Sequence, residues 1–170
     1  TVARPADQAA NGGGAAGAVA APQAAAMQSA VGQLVLGDLP VRLDGGVVRI
    51  EIPAERLFEN GTANLLPAGI AVLTQLAGEL ERVFPRHFLG IEGHLDTEPI
   101  RGDAWDSAHQ LTAAQAAAVF DFLAARTPLD DGQMFLVAHG ANHPVVSNAT
   151  AAGRRRNRRI ECVVYPERAP

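Results

Sequence analysis

The sequence predicts an α+β domain, a β-α-β-α-β-β sandwich in which two helices pack on one face of a mixed four-stranded sheet. Two observations lead to this fold class. Four short segments have the apolar pattern of strands, clearest where Val48, Ile50 and Ile52 alternate with polar residues, and two longer segments repeat apolar residues at helical spacing. Helices that connect the strands of one such sheet collect on the same face.

The first strand and the first helix have clear local signals. The strand is predicted over residues 47–52. Pro67 suits the first turn of the helix, where the backbone N–H has no helical partner, and Pro85 ends the helix because proline cannot continue it. Apolar residues recur between these prolines on one helical face, at Ile70, Leu73, Leu76, Leu80 and Val83.

The second half of the domain repeats this alternation. Residues 88–92 are predicted to form a strand, and residues 107–125 an alanine-rich helix that suits close packing against a sheet. Residues 133–138 and 160–164 are predicted as the third and fourth strands. Cys162 falls on the apolar face of the last strand, where we expect a buried, unreactive thiol.

The first thirty residues differ from the rest of the chain. We expect residues 1–30 to be a disordered Ala/Gly-rich linker and residues 31–170 to be the domain, because the linker has almost no large apolar side chains to offset the entropy of ordering. A polyalanine helix over part of the stretch is the alternative. Without Leu, Ile or Phe, residues 12–30 are not a transmembrane span.

Composition excludes several classes of protein. The 170 residues include one cysteine, which excludes an internal disulfide and a cysteine-cluster zinc site. A net charge of −4 with few aromatic residues argues against nucleic-acid binding. Residues 1–150 carry 8 Arg and 16 acidic residues, whereas residues 151–170 carry 6 Arg and 2 acidic residues. Five of these arginines lie within residues 153–159, which indicates an anionic partner or a set of internal ion pairs.

Two polar loops are the candidate functional site. They cover residues 93–107 and residues 139–159, and each follows a predicted strand. Loops that a rigid scaffold holds in place are where binding residues concentrate. We therefore expect the two loops to meet and form one site.

Three motifs in this chain resemble those of one family. Gly-His-Leu-Asp at residues 93–96 is similar to the Gly-His-Thr-Asp signature of OmpA-like peptidoglycan-binding domains, and residues 153–161 match that family's Gly-Arg-x-x-Asn-Arg-Arg-Val-Glu signature. Residues 57–67 resemble its first strand-to-helix turn. The Asp-Thr-Glu-Pro-Ile at residues 96–100 makes the chain most similar to the periplasmic domain of MotB-type stator proteins. The resemblance covers roughly residues 40–166.

The resemblance implies a ligand and a set of binding residues. The family binds the stem peptide of peptidoglycan, typically at diaminopimelate, which carries an ammonium and a carboxylate. By position, Asp96 would meet the ammonium and Arg158 would be a further contact, whereas the family's carboxylate-binding arginine is Gln115 here. The candidate ligand-binding set is Leu95, Asp96, Thr97, Leu111, Gln115, Asn148 and Arg158.

The change to Gln115 predicts weaker binding. A hydrogen bond that involves a charge contributes about 1.5–3 kcal/mol, against about 0.5–1.5 kcal/mol for a neutral one. We therefore expect peptidoglycan binding to be weakened by one or two orders of magnitude, or redirected. A purely structural role for Asp96, as a loop cap or an ion-pair partner of Arg158, is the alternative.

The resemblance also implies a setting for the domain. It predicts a homodimeric periplasmic domain that tethers an inner-membrane protein, such as a flagellar stator subunit, to the cell wall, with a transmembrane helix upstream that contacts a membrane partner subunit. The alternative is an outer-membrane or other envelope protein whose domain mainly dimerises or scaffolds, with weakened or altered ligand binding. No cofactor is expected.

Catalysis and metal binding have weaker support. The sequence has no nucleophile elbow and no phosphate-binding glycine loop, so we do not expect an enzyme; His94 with Asp96 or Glu98 is the one acid–base candidate. His139 and His143 join His94 in the two loops, but their spacing is not that of a helical metal motif. No metal site is predicted.

Overall fold

The structure, a computed structural model, describes residues 15–100 and 104–167. Within these residues one mixed sheet of five strands has the order β1-β2-β5-β3-β4. The strands are β1 (Val41–Asp44), β2 (Val47–Pro53), β3 (Phe88–His94), β4 (Met134–Gly140) and β5 (Arg159–Tyr165). The helices are α1 (Ala15–Val31), α2 (Ala54–Leu57), α3 (Pro67–Val83), α4 (Ala108–Arg126) and α5 (Ala151–Asn157), and a 3-10 turn covers Asp131–Gln133.

The predicted fold class is confirmed, with one more strand than expected. The last strand, β5, lies between β2 and β3 and is antiparallel to both, whereas β3 and β4 are parallel. The additional strand β1 forms a hairpin with β2 through Gly45 and Gly46, whose φ angles are 57° and 87°. Two consecutive residues with positive φ are typical of a two-residue hairpin turn.

The hydrophobic core lies between the sheet and helices α3 and α4, as predicted. Buried leucines of α3 and the buried Val119 and Leu123 of α4 pack against the apolar side of the strands. Gly93 allows α4 to approach β3 closely, because a Cβ at this position would lie 2.4 Å from the carbonyl oxygen of Thr112. Cys162 is buried in this core, and its burial raises the pKa of the thiol to about 12, which makes it unreactive as expected.

The opposite side of the sheet carries paired charges and is called the charged face below. Its centre is Glu161, whose side chain is 1% exposed and accepts hydrogen bonds from Arg49 at 2.8 Å and Arg159 at 2.7 Å. Arg42 lies 3.3 Å from the same carboxylate, and Arg49 also donates to Glu92 at 3.2 Å. The alternation of strand side chains separates these charges from the apolar core.

The N-terminal segment differs from the expected linker. Helix α1 covers Ala15–Val31 and crosses the predicted boundary at residue 30, so the polyalanine alternative describes this part of the chain better. Alanine is the strongest helix former, and Met27 adds an anchor because it is buried in the core. Residues 1–14 lie outside the described residues, and their linker role stays a prediction. None of the helices described is long and apolar enough to span a bilayer.

The segment before the last strand also differs from expectation. The second polar loop was expected to lead directly into that strand, but the short helix α5 intervenes. Thr150 caps α5 by accepting a hydrogen bond from the Gly153 backbone N–H at 3.0 Å. The chain therefore ends as strand, helix, strand, and α5 places the arginine cluster on a helical turn.

Candidate functional site

A cavity with a volume of about 790 Å³ lies where the two predicted loops meet. Four parts of the chain form it: the turn from α2 toward α3, the loop after β3, the first turns of α4, and the residue after α5. Five predicted ligand-binding residues line this cavity: Leu95, Asp96, Leu111, Gln115 and Arg158.

Two other predicted residues are placed elsewhere. Thr97 is exposed and does not line the cavity. Asn148 is also absent from the lining, and its Oδ1 accepts a hydrogen bond from Asn157 Nδ2 at 2.8 Å. The structure therefore gives Asn148 a role in holding the loop before α5, and the part of the two residues in ligand binding stays a prediction.

Asp96 and Arg158 form an ion pair on the cavity wall. Arg158 Nη1 donates to Asp96 Oδ2 at 2.5 Å, and it lies 3.7 Å from Glu98 Oε2. The other carboxylate oxygen of Asp96 accepts the backbone N–H of Glu98 at 3.1 Å, so the loop turns around this side chain. Because Asp96 is 5% exposed and Arg158 is half-buried, the pair presents one anionic and one cationic group at the edge of the cavity.

Asn157 holds Arg158 in position, a role that the sequence did not reveal. Its side chain is fully buried and forms four hydrogen bonds. Oδ1 accepts the backbone N–H groups of Val145 and Val146, while Nδ2 donates to the Val146 carbonyl and to Asn148. The asparagine of the signature thus ties α5 to the preceding loop, immediately before the arginine that reaches the cavity.

Gln115 is also part of the cavity lining, and it is buried with one hydrogen-bonding atom left without a partner. Its side chain is 3% exposed, and Nε2 donates to the Thr62 carbonyl oxygen at 2.8 Å. Its Oε1 has no hydrogen-bond partner within the part of the chain that the structure describes. The hydrogen bond to Thr62 fixes the orientation of the Gln115 amide. Gln115 therefore presents its Oε1, a neutral acceptor, where the resemblance to the family implies a cationic arginine.

The cavity has an acidic lining. Glu55 and Glu59 from the turn after β2 join Asp96 and Glu98, whereas Arg158 is the one basic residue among the described lining residues. The sequence did not reveal Glu55 and Glu59 as site residues, because the candidate site was placed in the two polar loops. A lining with more carboxylates than arginines favours a ligand with a cationic group.

The remaining arginines of the cluster have separate roles. Arg154 pairs with Glu98 at 2.8 Å, beside the cavity, and Arg159 lies on the charged face. Arg155 and Arg156 are exposed on α5. Three of the five arginines, Arg154, Arg158 and Arg159, thus form internal ion pairs, which is one of the two roles that the sequence indicated for the cluster.

The histidines of the two loops do not join Asp96. His94 is the last residue of β3, and its ring stacks on that of His139 with centroids 4.5 Å apart. Glu92 lies beside both rings on the charged face, and none of the three lines the cavity. The predicted acid–base combination of His94 with Asp96 therefore has no shared site in the structure.

A protein-family model matches more than half of the chain. The model described as "OmpA family" matches residues 57–158, a range that contains most of the cavity residues. Motility protein B of Bacillus subtilis is 29% identical over 120 residues, which is 71% of this chain and 46% of that protein. Peptidoglycan-binding protein ArfA of Mycobacterium tuberculosis is 36% identical over 107 residues, 63% of this chain and 31% of that protein. The chain thus spans less than half the length of these relatives.

Solved structures have the same fold. A putative MotB-like protein from Desulfovibrio vulgaris superimposes with a TM-score of 0.80 at 21% identity, covering 88% of this chain and 99% of that one. The cell wall anchor of the T6SS from Pseudomonas aeruginosa superimposes with a TM-score of 0.69 at 28% identity, covering 85% of this chain and 97% of that one.

Proposed function

Because the chain belongs to the OmpA family, we propose that it binds peptidoglycan non-covalently and anchors an envelope protein to the cell wall. The observation that carries the proposal is the cavity in which Asp96 and Arg158, one from each signature, lie together. Similarity to ArfA, which is named a peptidoglycan-binding protein, and to the T6SS cell wall anchor supports it.

The proposed ligand is a stem peptide of the diaminopimelate type. Its ammonium and its carboxylate match the two members of the Asp96–Arg158 pair, so the ligand exchanges one internal ion pair for two charge-assisted contacts. Glu55 and Glu59 add to the attraction for the ammonium. Recognition of this kind forms and breaks no covalent bond, and we propose no catalytic role.

Retention on purified peptidoglycan tests the role of Asp96. The variant Asp96→Asn keeps the shape of the side chain and removes its charge, so retention falls by about tenfold, as expected for losing one charged hydrogen bond. The matched control is Asp121→Asn, which removes an exposed carboxylate that does not line the cavity. Undiminished retention of Asp96→Asn would reject the proposed contact.

A scaffold that has lost its ligand is the second candidate, and Gln115 favours it. In this reading the Asp96–Arg158 pair is purely structural and the domain mainly dimerises. The variant Gln115→Arg separates the two candidates. Higher affinity for a diaminopimelate-containing stem peptide indicates a weakened family site, whereas absence of binding by both forms favours the scaffold.

We also propose a setting for this domain, with support from the similarity to Motility protein B. The domain lies in the periplasm, forms a homodimer, and belongs to an inner-membrane protein that meets a partner subunit in the membrane, as in a flagellar stator. An outer-membrane or secretion-system anchor is the alternative, for which the T6SS anchor is the precedent. Fractionation of the full-length protein and sedimentation of the domain test these points.

A further inference from the structure

We propose that Glu92, His94 and His139 bind a divalent transition-metal ion such as Zn²⁺ on the charged face. One ligand atom from each residue lies within 4.8 Å of the others. Glu92 Oε2 lies 3.2 Å from His139 Nε2 and 3.7 Å from His94 Nε2. Ligand atoms about 2.0–2.2 Å from a tetrahedral zinc ion are roughly 3.4 Å apart, so these two separations already suit a shared ion.

His94 gives the second, independent indication of a ligand. Its side chain is 3% exposed, and neither ring nitrogen has a hydrogen-bond partner among the residues described. Buried polar atoms in proteins are nearly always bonded, so an unpaired imidazole calls for a water or an ion as partner.

Both imidazoles lie beside Glu92, but they must tilt to share an ion. The His94 and His139 rings stack at an interplanar angle of 16°, so their in-plane lone pairs run nearly parallel, and metal binding would turn both rings toward Glu92. A water would fill the fourth position, and the exposed His143 packs its ring edge-on against that of His139, with centroids 4.5 Å apart. Two imidazoles and one carboxylate form a ligand set that zinc uses in proteins.

Arg49 is the competitor of a metal ion at this site. It donates to Glu92 Oε2 at 3.2 Å, the same oxygen that faces both histidines. Arg49 has other partners, Glu161 at 2.8 Å and Asp44 at 3.3 Å, so a metal ion can replace it on Glu92 without leaving the guanidinium unpaired. Arg159, which lies opposite His94 across β3 and β5, is a second nearby cation, and it bonds Glu161 and the His143 carbonyl.

A metal here would join two strands beside the ligand cavity. Glu92 and His94 are on β3, His139 is on β4, and the residues that follow His94 are Leu95 and Asp96 of the cavity. We therefore expect the ion to stabilise the end of β3 from which the binding loop starts. The site is separate from the proposed peptidoglycan contacts, so each can fail without the other.

Zinc titration of the untagged protein by calorimetry tests the proposal. We expect one Zn²⁺ per chain, a higher melting temperature with zinc, and at least about tenfold weaker binding for His139→Ala, because even outer contacts of a metal site contribute that much. His94→Gln is the second ligand variant, and His109→Ala on α4 is the matched control that retains binding. Arg49→Gln tightens binding by freeing Glu92.

Two results would overturn the proposal. One is no saturable binding by the wild-type protein in excess zinc. The other is an equal dissociation constant for His139→Ala, His94→Gln and His109→Ala, with all three variants folded by circular dichroism. If the Arg49→Gln variant folds but binds zinc more weakly than the wild type, Glu92 is not a ligand of the ion.

Discussion

Asn157 offers a sharp test of how the fold positions the proposed binding arginine. The variant Asn157→Ala removes a fully buried carboxamide that makes four hydrogen bonds to the loop before α5. Three of its partners are backbone groups of Val145 and Val146, and the fourth is the side chain of Asn148. Without these four hydrogen bonds, the loop is no longer attached to the end of α5, directly beside Arg158.

The magnitude follows from these partners. Each hydrogen bond contributes about 1 kcal/mol net, so four bonds set a ceiling of about 4 kcal/mol. Val145 is 36% exposed, so water reaches part of the loop after the change and lowers the cost. We expect a decrease of roughly 2–4 kcal/mol in the free energy of unfolding.

Urea unfolding, followed by circular dichroism, measures this decrease. The matched control is Asn142→Ala, since Asn142 is exposed in the same loop, and its effect stays within about 0.5 kcal/mol. Asn157→Asp keeps the acceptor for two backbone N–H groups, but it turns a second carboxylate oxygen toward the Val146 carbonyl and Asn148 Oδ1, so we expect it to destabilise at least as much as Asn157→Ala. An Asn157→Ala variant as stable as the control would refute the view that this side chain holds the loop.

Three further predictions concern the sheet and its helices. Gly93→Ala would place a Cβ 2.4 Å from the Thr112 carbonyl oxygen, so we expect α4 to be displaced and the melting temperature to fall by the equivalent of about 2 kcal/mol or more. Burial alone would raise the pKa of Glu92, but His94, Arg49 and His139 lower it to about 2. Because this pKa is below its ordinary 4.5, the ionised Glu92 contributes about 3 kcal/mol of stability above pH 4.5, and this contribution is lost as the pH falls toward 2. Urea unfolding in the presence of a chelator measures this loss, and we expect the free energy of unfolding of Glu92→Gln to depend less on pH than that of the wild type. Ser107→Ala removes the cap on the Gln110 backbone N–H and costs about 1 kcal/mol by thermal unfolding.

The sequence predicted those elements whose signals are local. Helix α3 begins at Pro67 and ends at Val83, as the prolines and the apolar spacing indicated, and α4 begins directly after the capping Ser107. The short, half-buried β1 was missed because it has only four residues, although the two consecutive glycines Gly45 and Gly46 are typical of a turn. Helix α5 was missed and α1 was only the alternative to a linker, because an arginine-rich turn and an Ala/Gly-rich stretch are helical here in the context of the packed domain.

The candidate site, like the fold, was predicted from the sequence only in part. The polar composition of the two loops indicated that they belong together, and the resemblance to the OmpA-like family singled out Asp96, Gln115 and Arg158. Only the tertiary structure decided that Asp96 and Arg158 pair across 62 positions, that Gln115 is held by Thr62, and that His94 stacks on His139 beside Glu92. Residue types and short-range spacing can be read directly from the sequence. Which distant groups share a cavity depends on the order and register of the strands, and the packing of the whole domain sets both.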